Sequence, residues 1–173
     1  MFTETVKRFT HIIIISQLIV FSVLTFSSED SEPKLKNLLP SELKKTEFNI
    51  SRAKFEKSRP NARLVEDLSF RLVYQEDINA NGITSIVYYL DNEGQQPLYE
   101  IIVNYDNEST MELKANKLLG KSNYSGKDGK SKEWKFDLKK EFPLHVWTFK
   151  NKIVYVYPLL NTEWNESGVI DLE

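Results

Sequence analysis

Apolar and polar positions change rhythm several times along the chain, and each change predicts an element. From Leu68 to Gln75, Phe70, Leu72 and Tyr74 alternate with Ser69, Arg71 and Val73, the two-residue period of a strand. Ile83–Leu90 is rich in β-branched and aromatic residues. Asn81-Gly82 stands just before it, a dipeptide that tolerates positive φ and marks a hairpin turn. A second turn is read at Asp91-Asn92-Glu93-Gly94, after which Tyr99, Ile101, Val103 and Tyr105 share one face of a strand over Leu98–Tyr105. These three segments predict a meander.

Helical spacing shows in two places. Pro40 before Ser41, Glu42, Leu43 and Lys44 predicts a helix entrance, and Pro60 supplies the stop after Arg59 because proline disfavours helix in the residue before it. The apolar residues of this Ser41–Arg59 segment split, with Leu43, Ile50 and Ala53 on one side and Phe48 and Phe55 on another. In the second segment Ser109-x-x-Glu112 reads as a capping box. Met111, Ala115, Leu118 and Leu119 follow helical spacing, and Gly120 is placed to end the helix. A loop of Gly, Ser, Asn and Lys follows over Gly120–Ser131.

Three more strands close the chain. Trp134, Phe136 and Leu138 alternate with Glu133, Lys135 and Asp137, and Leu144–Phe149 and Ile153–Tyr157 flank a tight turn at Lys150-Asn151-Lys152. A three-residue loop sets Trp147 opposite Tyr155 and His145 opposite Tyr157, while a two-residue loop shifts these pairings by one. The fold class is therefore α+β: an antiparallel sheet of about six strands with two helices. The order α-β-β-β runs twice, over 41–105 and 110–158, as a tandem pair. One helix can cover the apolar face of each three-stranded sheet, and two such units side by side extend a single sheet.

The N-terminus carries a different signal. Lys7 and Arg8 precede an apolar run of 15 residues from Ile12 to Phe26, and Thr25-Phe26-Ser27 offers small residues for cleavage. That is the layout of a secretory signal peptide, and the run is shorter than the ~20 residues that span a hydrocarbon core. The domain reading is a signal peptide over 1–27, a flexible polar leader over 28–40 and one α+β domain over 41–173. An uncleaved signal-anchor is the rival and offers the one route to membrane contact. The expected destination is the periplasm or the exterior. The absence of cysteine fits a bacterial envelope better than a disulfide-stapled eukaryotic exterior.

Cleavage after Ser27 leaves 146 residues, with 21 basic and 24 acidic side chains once Lys7, Arg8 and Glu4 are gone. Such a chain buries roughly 68–70% of its unfolded surface and needs no covalent staples. Its balance makes no basic footprint for nucleic acid. Asn49, Asn107, Asn123 and Asn165 each open an Asn-x-Ser sequon, which matters only in a glycosylating host.

The predicted helix, the run Phe55-Glu56-Lys57-Ser58-Arg59-Pro60-Asn61-Ala62 and strands around Tyr89-Leu90-Asp91-Asn92-Glu93-Gly94 resemble the small secreted units of the PepSY-like and β-lactamase-inhibitor-like group. The resemblance covers Ser41 to Tyr105 and rests on element order and a few positions. It implies protein binding or inhibition without catalysis, and it carries no catalytic motif that transfers to numbered residues. The second half departs further, with a shorter helix and a longer Gly-Lys loop.

Chemistry-bearing residues are few. Asp77-Ile78-Asn79-Ala80-Asn81-Gly82 matches the opening of a calcium loop, with Asp77, Asn79 and Asn81 supplying oxygens around a glycine turn. Position twelve of an EF-hand would be Tyr88 where a glutamate is needed, so that motif is excluded. What remains is a simple calcium loop or, in the plainer reading, an Asn-Gly hairpin with polar approach residues. No other cofactor is implied. Gly120-Lys121-Ser122 and Gly129-Lys130-Ser131 lack the earlier glycine of a phosphate loop.

The expected mature chain holds one histidine, His145, in an apolar strand, so a small hydrolase would have to use it as its base. Aromatic residues, among them Tyr88, Tyr89, Tyr99, Tyr105, Trp134, Trp147, Tyr155, Tyr157 and Trp164, are numerous. Flat amphipathic rings on an exposed sheet face suit protein contact. The expectation is therefore an exported, non-catalytic binding protein whose partner is another protein. Trp147 and Tyr155 on a sheet face, with Lys121, Tyr124, Lys127 and Lys130 of the loop, are the candidate contact residues. A carbohydrate- or lipid-binding envelope module is the alternative.

Overall fold

The computed structural model describes residues 34–125, 132–138, 143–158 and 162, all within the compact unit Glu32–Glu173. The expected signal peptide at 1–27, residues 28–33 of the leader, Lys127, Lys130 and Trp164 lie outside the described residues. No helix among the described residues is long and apolar enough to cross a membrane.

The fold is α+β. Helix α1 (Leu35–Leu38) and a 3₁₀ turn at Ser41–Leu43 lead to α2 (Arg52–Ser58), and a meander follows of β1 (Arg63–Asp67), β2 (Arg71–Ala80), β3 (Ile83–Asp91) and β4 (Leu98–Tyr105). Helix α3 (Glu108–Leu119) opens the second half, completed by β5 (Tyr124–Ser125), β6 (Lys132–Phe136), β7 (Leu144–Phe149) and β8 (Lys152–Val156). All eight strands form one antiparallel sheet in the order β1-β2-β3-β4-β8-β7-β6-β5. Each half is thus helix followed by a four-stranded meander, and the halves meet through their last strands, β4 and β8. Sequence periodicity misses β1 and β5, a strand of five exposed residues and one of two residues at the sheet's edges. Neither is long and apolar enough to show a clean alternation.

Register explains the core. One row crosses the sheet from Tyr74 through Tyr88, Ile101, Tyr155 and Val146 to Trp134, and every member is 3% exposed or less. The helices bury Leu38, Phe55, Met111, Ala115 and Leu119 in the same cluster, so this is the helix-covered face. Burying a large apolar side chain contributes about 1.5–3 kcal/mol, so each member of this row adds materially to cohesion. Helix α3 lies over the central strands β4 and β8 and touches α1.

Three expectations need correction. Segment 41–59 is not one helix: its apolar residues fall on two sides, and Asn49 at φ +61 breaks the chain between the 3₁₀ turn and α2. The break lets Leu43, Phe48 and Phe55 all reach the core. The leader is not flexible from Lys34 onward, because Leu38, Leu39 and Pro40 are buried and the Tyr155 hydroxyl donates to the Leu38 carbonyl at 3.2 Å. Its polar residues Lys34, Lys36 and Asn37 conceal the apolar Leu35, Leu38 and Leu39 that anchor it. Finally, the cap of α3 is Asn107 rather than Ser109: the Asn107 side-chain oxygen accepts from the Thr110 backbone N–H at 2.8 Å, which starts the helix earlier.

Candidate functional site

Side chains alternate across a strand, so the residues between those of the helix-covered row emerge on the opposite face. There Gln75, Val87, Ile102, Val154, Trp147 and Glu133 form a row in register. The adjacent row runs from Val73 through Tyr89, Glu100, Val156 and His145 to Lys135. Val154, Val156, Ile102 and Trp147 pack into an apolar cluster that no described helix joins. The hairpin that presents Trp147 turns through two residues, Lys150 and Asn151, since Phe149 pairs with Lys152. Lys150 takes φ +53 to close it. Asn151 is held from β4: its side chain donates to the Tyr105 carbonyl at 2.5 Å, and its own carbonyl accepts from the Tyr105 N–H at 2.9 Å.

Two-residue closure decides the register left open by sequence. Trp147 faces Val154, and His145 faces Val156. Tyr155 falls on the helix-covered face, fully buried. Burial and its Leu38 hydrogen bond remove it from the contact residues, where its neighbour Trp147 stays half-buried on the other face.

Lys121 is exposed just beyond α3. Tyr124 belongs to β5, pairing with Glu133, so the expected 120–131 loop begins as a hairpin rather than a plain connection. Asn123 docks its start: its side-chain amide donates to the Lys135 carbonyl and its oxygen accepts from the Lys135 N–H, each at 2.9 Å. Lys121 and Tyr124 thus lie at the β5–β6 edge, while Trp147 sits one strand further in.

The expected calcium residues serve the turn. Asp77 pairs with Arg63 at 2.8 Å and accepts from Gln75 at 3.2 Å. Asn81 donates to Glu42 at 2.6 Å. Asn79, Asn81 and Gly82 take φ of +51, +56 and +79, which builds the tight β2–β3 turn and the bulge between Asp77 and Ala80. Asp77 and Asn81 are therefore turned to different protein partners. Among the described residues, no group of three or more His, Cys, Asp or Glu side chains could hold a metal ion.

His145 does not meet the needs of a base. It is 9% exposed, and its cross-strand neighbours are Lys135 and Val156, where a triad would set a carboxylate. Burial first, and the charge of Lys135 second, push its pKa down to about 4.

A polar cluster that sequence reasoning missed lies under α2. Arg59 pairs with Glu76 at 2.6 Å, both largely buried, and the Tyr88 hydroxyl donates to the same Glu76 oxygen at 2.9 Å. A further Arg59 nitrogen donates to the Glu42 carbonyl at 2.8 Å, and the guanidinium lies over the Tyr88 ring. Burial raises the Tyr88 pKa above its ordinary value. Nearer the surface the Tyr74 hydroxyl donates to Glu56 at 2.5 Å. Burial, then that hydrogen bond, pushes Tyr74 up to about 12. The only sequence signal was the charged Arg59 and Glu76 beside apolar runs. Its geometry clamps α2 to the sheet.

Set against family models, curated proteins and solved structures, the chain matches none.

Proposed function

We propose that this is a non-catalytic binding module that docks another protein on the sheet face that no described helix covers, around Trp147 and Ile102. The observation that carries the reading is that Ile102 and Trp147 keep exposed surface on that face while packing on the buried Val154 and Val156. Trp147, Ile102 and Val87 are half-buried there, so each keeps surface that a partner can cover. Indole and branched aliphatic groups give much contact area for little lost rotamer freedom, the property of interface anchors. Lys135 and Glu133 on the same face provide a charged border to an apolar centre. Lys121 and the β5–β6 hairpin extend the surface at its edge. Export to a periplasm or the exterior, through the 1–27 leader, is part of the same proposal, as is kinship with the secreted inhibitor-like units.

The test is affinity capture from the source organism's envelope fraction, comparing the wild type with Ile102→Glu and with Leu113→Glu, an exposed position on α3. The reading expects a discrete protein retained by the wild type and by Leu113→Glu but lost with Ile102→Glu, all three giving the same circular dichroism spectrum. Equal retention by all three contradicts it.

A further inference from the structure

A second site is separate from Trp147 and lies on the helix-covered side of the molecule. A cleft of about 340 Å³ opens between the α1–3₁₀ segment, the β2–β3 turn and α3. Lys36, Lys44, Lys114 and Lys117 line it, against one carboxylate, Glu42. The whole chain carries a formal net charge of −2, so this concentration of cations runs against the balance of the molecule. Glu42 is already engaged: it accepts from Asn81 at 2.6 Å and from Ser41 at 2.9 Å. Burial works to raise the Glu42 pKa, but its hydrogen bonds and, last, the charge of Lys114 bring it below its usual value, so it stays ionised and of the four lysines draws on Lys114.

Leu39, Pro40, Ile83 and Leu118 give the lining an apolar part, beside the polar Asn37, Ser41 and Asn81. Tyr105 completes it. Only 1% of this residue is exposed, and its hydroxyl has no hydrogen-bond partner among the described residues. Buried hydroxyls are almost always paired, because an unmade hydrogen bond leaves the desolvation cost uncompensated. A donor without a partner beneath a cation-lined cleft is what an anionic ligand would satisfy. Beside the cleft the β2–β3 turn packs directly on α3. Gly82 packs so closely on α3 that a Cβ there would lie 2.5 Å from Thr110 Cγ2.

We infer that this cleft binds a small organic anion, a carboxylate or phosphate on a compact apolar body. Its charged head meets Lys36, Lys44, Lys114 and Lys117 and takes the Tyr105 hydroxyl proton in a hydrogen bond, while its body rests on Leu39, Pro40, Ile83 and Leu118.

Titration calorimetry of the full chain with octanoate, octanol and inorganic phosphate tests it. Octanoate should bind, with octanol and phosphate each at least tenfold weaker. The double variant Lys114→Gln/Lys117→Gln should weaken octanoate at least tenfold and leave octanol unchanged. Tyr105→Phe should weaken octanoate several-fold while raising the melting temperature of the ligand-free protein, since it removes an unpaired buried hydroxyl. No heat with octanoate at millimolar concentration overturns the inference. So does octanol binding as tightly as octanoate, unchanged affinity in the variants, or a fall in melting temperature for Tyr105→Phe, which would mean the hydroxyl has a protein partner.

Discussion

His145 illustrates how a single side chain can hide its role. In sequence it is a lone histidine in an apolar strand; in the fold it is buried beside Lys135 with a pKa near 4. The unfolded chain binds its proton near pH 6.5 and the folded chain only near 4, so the unfolded state holds more protons between those values. Stability contributed by this group is complete above pH 6.5 and falls as the pH drops toward 4. Urea unfolding at pH 7 and pH 5 should therefore show a loss of about 1–2 kcal/mol for the wild type that His145→Gln abolishes. A wild type equally stable at both pH values would contradict the buried neutral imidazole. Arg59 and Glu76 make the complementary case. Arg59→Ala leaves the Glu76 carboxylate buried without its cation and should cost about 3–5 kcal/mol in the same measurement. Loss below 1 kcal/mol would place the pair in solvent.

Elements were legible wherever one face alone is buried. Strand β4 falls at Leu98–Tyr105 and β3 begins at Ile83, as the alternation predicts. Helix α3 shows its buried stripe of Met111, Ala115 and Leu119 in the sequence, but its start was misread by two residues. Asparagine caps as well as serine, and local pattern does not rank a capping box against an earlier Asn. The two caps separate by experiment. Asn107→Ala should cost about 1 kcal/mol of stability and Ser109→Ala almost none. The β2–β3 turn is similarly definite. Gly82→Ala meets Thr110 and a positive φ together, so it should lower stability by more than the ~1 kcal/mol of an ordinary glycine replacement in a strained turn. Because Asp77 and Asn81 point to Arg63 and Glu42, millimolar calcium should leave the melting temperature unchanged. A rise of several degrees would restore the calcium loop.

The whole molecule was less legible than its parts. The α+β class follows from the patterns, but the junction of β4 with β8 depends on pairing between residues some 50 positions apart, and no local period encodes it. That junction builds the proposed docking face, because it sets Ile102 beside Val154, and β7 then adds Trp147 to the same face. The side taken by Tyr155 is non-local for the same reason: a one-residue change in hairpin closure moves every side chain to the other face, and two-residue closure buries Tyr155 under the helices. The Tyr105 cleft is equally non-local, drawing its walls from the α1–3₁₀ segment, the β2–β3 turn and α3. Coverage of the Trp147 face by another protein is tested most directly by site-directed photocrosslinking. With a photoreactive phenylalanine analogue at Val87, the envelope fraction should yield one discrete protein adduct that Ile102→Glu eliminates, and the same analogue at Leu113 should yield none. Adducts from Leu113 alone, or none from Val87, would contradict it.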